Sequence, residues 1–188
     1  MNSIVPQKKK ILIACERSGI VRSAFAARGY DAWSVDLVTS DRPGNHIIGD
    51  ALETIRADHW DMVIAHPPCT YLSRAAARYW SLPGRSELSA LALQFVLDIW
   101  NCDIPRLAIE NPIGKLWRWR PPDQIIQPYQ FGDPVQKTTC LWLRGLPPLM
   151  STLYCADYEK DWTDKKHRTA AARSQTFPGI ANAMADQW

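Results

Sequence analysis

"DMVIAHPPCTYLS", residues 61–73, runs from an acid through four apolar residues into His-Pro-Pro-Cys. A short apolar run bounded by turn residues reads as a buried strand. The two prolines lack backbone donors and fix φ, so they disfavour helix before Cys69 and stiffen the approach to its thiol. This strand decides the fold because similar runs recur on both sides of it. "KKKILIACERSG" passes from a basic flank through a strand to a turn, and "SGIVRSAFAARGY" then carries Ile20, Val21, Ala24 and Phe25 at helical spacing before stopping at Gly29. "DAWSVDL" is a second strand ending at Asp36. "SELSALALQFVLDIW" (86–100) is helical, with an apolar stripe of Leu88, Leu91, Ala92, Phe95, Val96 and Ile99, and "RLAIE" (106–110) is a further strand.

Short strands alternating with helices predict an α/β fold, a mostly parallel sheet with helices on both faces. Ligands bind such sheets outside the carboxyl ends of the strands. Glu16, Asp36, Cys69 and Glu110 all fall at such ends. Each taken singly reads as a capping or turn residue; their shared edge makes them a set.

With 188 residues, 46% hydrophobic and 22% charged, the chain has the composition of one globular domain rather than a disordered tail. A net charge of +3 permits a polyanionic partner without requiring one. The five cysteines are spread without zinc-ligand spacing, so no metal is expected, and their odd number without a signal-peptide pattern points to a reducing, cytoplasmic location. No apolar stretch approaches the roughly 20 residues that cross a bilayer, so no membrane partner is expected. "KLWRWR" (115–120) interleaves cations and aromatics as phosphate contact with base stacking would require; Trp117 and Trp119 also read as one face of a short extended segment. Beyond Pro121 the alternation fades. "TTCLWLRG" (138–145) is a strand, 150–176 a polar loop, and a last helix begins near Gly179.

The turn "CERSG", with Glu16 and Gly19, lacks the three-glycine spacing of a dinucleotide fingerprint. Asp36 at a strand end suits a ribose diol, and Asp50 in "GDALE", at the end of a further strand, suits the exocyclic amine of adenine. Together they predict an adenosine-bearing ligand without a phosphate cradle, which points to S-adenosylmethionine. Cys69, near a helix start and beside Arg74 and Arg78, is expected to have a lowered pKa. Glu110, at the end of an apolar strand, is expected to have a raised one and to donate a proton. A thiolate that attacks an unsaturated ring and a carboxyl that protonates the ring nitrogen describe chemistry on cytosine.

The order "ERSG…GYDAWSVD…GDALE…DMVIAHPPCTYLS…LAIENP…FGDPVQK" resembles the cytosine carbon-5 DNA methyltransferases over residues 10–145. The resemblance implies a Rossmann-like S-adenosylmethionine-dependent methyltransferase fold, one domain over 1–188. Its catalytic core would span about 9–145, a short loop region 146–176 and a cofactor-side segment 177–188. It implies Cys69 as nucleophile, Glu110 as proton donor, Asn111 orienting Glu110 or the backbone, and Pro68 shaping the loop. S-adenosylmethionine would be held by Glu16, Gly19, Asp36, Asp50, Pro67 and, through "FPGIANAM" (177–184), Asn182. The target base would have to leave the stack.

The chain also departs from that pattern. His66 stands where the family usually has glycine, and it reads as a loop residue more readily than as a catalytic one. The family's Gln-x-Arg-x-Arg element becomes "QKTTC", so that Lys137 or Arg144 takes over its anionic contact, or the pocket differs. About thirty residues, 145–176, stand where a sizeable recognition domain is usual. DNA, duplex or single-stranded, would then be met by Arg74, Arg78, Arg85, Lys115, Arg118, Arg120, Gln136 and Lys137. The other readings are action on free nucleotides, a protein partner or self-association that supplies recognition, and a non-catalytic nucleic-acid- or cofactor-binding relative.

Overall fold

The computed structural model describes residues 8–160, 169, 172 and 174–188. Part of the 150–176 loop therefore lies outside the described residues. β1 (Lys10–Ala14), α1 (Ile20–Ala27), β2 (Asp31–Asp36), β3 (His46–Ile48), α2 (Ala51–Ala57) and β4 (Met62–Ala65) follow in order. A 3-10 segment (Arg74–Tyr79) leads into α3 (Arg85–Trp100), β5 (Leu107–Asn111) and α4 (Leu116–Trp119). After β6 (Gln124–Ile126), β7 (Thr139–Arg144) and α5 (Pro178–Gln187) close the described chain.

The seven strands form one sheet in the order β3-β2-β1-β4-β5-β7-β6. Pairs among the first five are parallel, whereas β7 runs antiparallel to both β5 and β6. The result is an α/β fold with a mixed, mostly parallel sheet, compatible with the Rossmann-like doubly wound order 3-2-1-4-5-6 with one antiparallel strand inserted.

Strand alternation splits the core into two layers. Ile11 and Ile13 of β1, with Met62 and Ile64 of β4, face α1 and α5, where Val21, Phe25, Ile180 and Met184 are buried. Leu12, Ala14, Val63 and Ala65 face the other way, toward Ile55 of α2, Val96 and Ile99 of α3 and Leu116 of α4. Because both faces are covered, β1 and β4 are continuous apolar runs.

α3 has the expected length but a rotated face. Leu88 and Leu91 are 39% and 67% exposed while Ser89 is buried. The Ser89 hydroxyl donates to the Tyr71 carbonyl and accepts from Lys115 Nζ at 2.7 Å, so a polar contact to the Cys69 loop sets the orientation of the first turn. "KLWRWR" is helical rather than extended: Trp117 is exposed, and Trp119 packs edge-on against Trp100 with ring centroids 5.5 Å apart. Among the described residues no helix is long and apolar enough to cross a membrane.

Candidate active site

The strand order reverses between β1 and β4, and the crevice outside their carboxyl ends is where an open parallel sheet takes a ligand. Three loops meet there, after β1, β4 and β5, with the end of β2 beside them.

The loop after β1 is strained and rigid. Cys15 has φ 58, a left-handed conformation that costs a non-glycine residue about 1–3 kcal/mol. Glu16 is buried, and its carboxylate accepts from the Val21 and Arg22 backbone N–H groups at 2.6 and 3.2 Å, filling orphan donors of the first turn of α1. Gly19, at φ 66, approaches the Arg22 guanidinium so closely that a Cβ would stand 2.6 Å from Nη2. That guanidinium is itself buried, donating to Ser34 Oγ and to the Arg42, Pro43 and Asn45 carbonyls, and so fastens the loop after β2. Glu16 and Gly19 thus shape the turn through backbone contacts.

Asp36 and Asp50 both act electrostatically on Cys15; burial first, then these two carboxylates, push its thiol up to about 12. The two acids therefore converge on one side of the crevice. Asp36 ends β2, next to Leu37 and Val38, which are 75% and 47% exposed. Asp50 lies two residues beyond the end of β3 and caps α2, accepting from the Glu53 N–H at 2.9 Å.

On the other side, the Cys69 and Glu110 loops are stitched into one unit. The Asn111 amide, buried at the end of β5, donates to the Pro67 carbonyl at 2.8 Å. The Arg74 N–H donates to the Ile113 carbonyl at 2.8 Å and the Lys115 N–H to the Leu72 carbonyl at 2.7 Å. Gly114 lies between them, where a Cβ would overlap the Leu72 carbonyl oxygen. The Cys69 carbonyl accepts from the Leu72 and Ser73 N–H groups, so the cysteine opens a tight turn.

The electrostatics depart from expectation in two respects. Burial pushes the Cys69 thiol up and Glu110 adds to the rise, with Lys137 opposing, so the thiol is raised rather than lowered. Arg74 and Arg78 do not offset this: both are exposed, and the helix start expected behind the cysteine is only a 3-10 turn. Glu110 is lowered rather than raised. Burial drives it up, but the His66 bond and charge, with Lys137, outweigh that. His66 Nδ1 stands 3.3 Å from Glu110 Oε2, with side-chain exposures of 9% and 16%. This pair, 44 positions apart in the chain, was invisible to any local pattern.

Lys137 and Arg144 separate clearly. Lys137 precedes β7 at the site edge, acts on both Cys69 and Glu110, and donates to the Gln175 carbonyl at 3.1 Å. Arg144, at the other end of β7, donates to the Trp100, Cys102 and Ile104 carbonyls and caps the C-terminus of α3. Gln136 is held through its backbone N–H, which donates to the Glu159 carbonyl at 2.8 Å. Asn182 stands apart from the cluster, on the exposed side of α5, where its Oδ1 accepts from Arg28 at 3.2 Å.

The cationic set also divides. Arg74, Arg78 and Arg118 are exposed, and Arg78 lies over the Tyr79 ring at 4.8 Å. Arg85 lies over the Tyr71 ring at 4.6 Å. Lys115 is held by Ser89 and the Trp80 ring, and Arg120 pairs with Asp123 over Trp100. Among the described residues no cluster of three or more His, Cys, Asp or Glu side chains could hold a metal ion.

No family model matches the chain, and no curated protein does either.

Proposed function

We propose that this protein is a methyltransferase that uses S-adenosylmethionine to modify carbon 5 of cytosine in DNA. The observation that carries the proposal is the joining of Cys69 and Glu110 at adjacent strand ends by the Asn111–Pro67 bond and the Gly114 crossing. A nucleophile and a carboxyl on two rigidly coupled loops can address two atoms of one planar ring. The resemblance of "HPPC" and "IENP" to the cytosine carbon-5 methyltransferases supports the same reading.

Three features support this cofactor: Asp36 and Asp50 converge on one side of the crevice for ribose and adenine, the exposed Leu37 and Val38 offer apolar contact beside them, and Glu16 ties the Cys15–Gly19 turn to α1. S-adenosylmethionine would supply the methyl group. Cys69 would pass its proton to solvent water, favoured by the Lys137 charge, and the thiolate sulfur would add to carbon 6. Glu110 would deliver a proton to ring nitrogen 3 as charge develops there. Asn111 would hold the Pro67–Pro68 turn so that the sulfur meets the ring face. The final departure of the thiolate follows loss of the carbon-5 proton.

Residues 67–86 hold Arg74, Arg78 and Arg85 and no acid, which favours a nucleic acid over a free nucleotide. The test is transfer of labelled methyl groups to duplex DNA, single-stranded DNA, RNA and cytidine nucleotides in parallel, with Cys69→Ala as control. Label in DNA that vanishes in the variant supports the proposal. Label only in nucleotides moves the function to precursors, and no label with the cofactor bound makes the chain a binding protein.

A further inference from the structure

His66 occupies the first position beyond β4, directly before Pro67-Pro68-Cys69, and its N–H donates to the Ala14 carbonyl of β1 at 2.9 Å. Its side chain, 9% exposed, stands beside carboxylates from two neighbouring strand ends. Glu110 of β5 faces Nδ1 at 3.3 Å. Glu16, from the loop after β1, feels the His66 charge. Lys137, before β7, acts on the same Glu110 carboxylate, as Glu110 in turn acts on Cys69 and, from within the sheet, on Cys140. Nε2 is buried and has no partner among the described residues. A loop histidine would be solvated; this one is fastened by its backbone and aimed at one carboxylate.

We propose that His66 is the positioning residue that governs the proton Glu110 delivers. This rests on the methyltransferase reading above. With the site empty, Glu110 is a carboxylate that faces His66 Nδ1 at 3.3 Å. A cytosine whose ring nitrogen 3 presents its lone pair to that carboxylate is repelled until the carboxylate is protonated. The Nδ1–H bond then breaks, leaving its electron pair on the imidazole, and an O–H bond forms on Glu110. As the Cys69 sulfur adds to carbon 6, the O–H bond breaks and ring nitrogen 3 takes the proton. When the thiolate leaves, ring nitrogen 3 returns the proton to Glu110, and the pair is restored. Burial pushes Glu110 toward its protonated form; His66 opposes that and makes the protonation conditional on the base.

The test needs neither substrate nor cofactor. Glutamate carboxyl carbons are labelled with carbon-13, the Glu110 signal is assigned by its loss in Glu110→Gln, and its titration is followed by NMR in wild type, His66→Gln and His66→Asn. Wild-type Glu110 titrates below the ordinary 4.5, and in both variants it titrates at higher pH than in wild type, because burial is then opposed by Lys137 without the imidazole. A Glu110 titration that is the same in wild type and variants overturns the proposal. Methyl transfer gives the second readout: its pH profile shifts in His66→Gln, and an unmoved profile also counts against His66. If the carboxyl titration moves but wild type transfers no methyl group to any acceptor, the methyltransferase reading fails while the charge coupling stands.

Discussion

Asn111 holds Pro67: its amide nitrogen donates to the proline carbonyl at 2.8 Å, joining two strand-end loops that lie 44 residues apart in the chain. The order of the Cys69 loop relative to Glu110 depends on this bond and on the Gly114 crossing beside it. Asn111→Ala leaves a buried carbonyl without its donor and is expected to lower stability by about 1–3 kcal/mol. Gly114→Ala forces the Leu72 carbonyl aside and is expected to cost a similar amount, about 1–3 kcal/mol. Denaturant midpoints measure both, and an unchanged midpoint in either would show that the loops are held by other contacts.

Cys69 reactivity reports the two charges around it. Glu110 raises its pKa and Lys137 lowers it. Alkylation by iodoacetamide at fixed pH, read at the Cys69 peptide by mass spectrometry, is therefore expected to speed up in Glu110→Gln and slow down in Lys137→Met. The reverse order would mean that these side chains do not face the sulfur.

Two carboxylates of the site should give opposite pH dependences of stability. Glu110 is lowered from 4.5, so it contributes stability that is present above that value and lost as pH falls through its folded pKa. Glu16 is raised from 4.5, chiefly by burial, so its contribution is present below that value and lost as pH rises through its folded pKa. Relative to wild type, Glu110→Gln loses its disadvantage on acidification, whereas Glu16→Gln improves as pH rises above 4.5. Parallel curves of unfolding free energy against pH check both signs.

The exposed Arg74 and Arg118 should matter to DNA more than the engaged cations, among which Arg78 lies over the Tyr79 ring at 4.8 Å. Removing Arg74 or Arg118 singly is expected to reduce the slope of log affinity against log salt by about 1. Arg120→Ala should change it less, because Arg120 is already paired with Asp123. Equal effects at Arg118 and Arg120 would contradict this division of the surface.

The sheet was legible where strands are buried on both faces, since Ile11–Ala14 and Met62–Ala65 are apolar without interruption. β3, β6 and α4, of three, three and four residues, are too short to show a period. The length of α3 was readable but its orientation was not, because Ser89 is drawn inward by Tyr71 and Lys115. At the site, Cys69, Glu110 and the two crevice acids stood out by their positions at strand ends. His66, the buried Arg22 and the clamp at Gly114 did not, because each is defined by partners distant in sequence. The direction expected for Glu110 fails because an imidazole stands against its carboxylate, and that expected for Cys69 fails chiefly because the thiol is buried, with Glu110 adding to the rise.

Covalent trapping with DNA carrying 5-fluorocytosine at every cytosine position tests the central claim most directly. Fluorine replaces the carbon-5 proton whose loss lets the thiolate leave, so the adduct should persist once the methyl group has been transferred. The account predicts a denaturant-resistant complex that requires S-adenosylmethionine, maps to Cys69, is absent in Cys69→Ala and is weakened in Glu110→Gln. An adduct on another cysteine, or none on duplex or single strand with the cofactor bound, would contradict it.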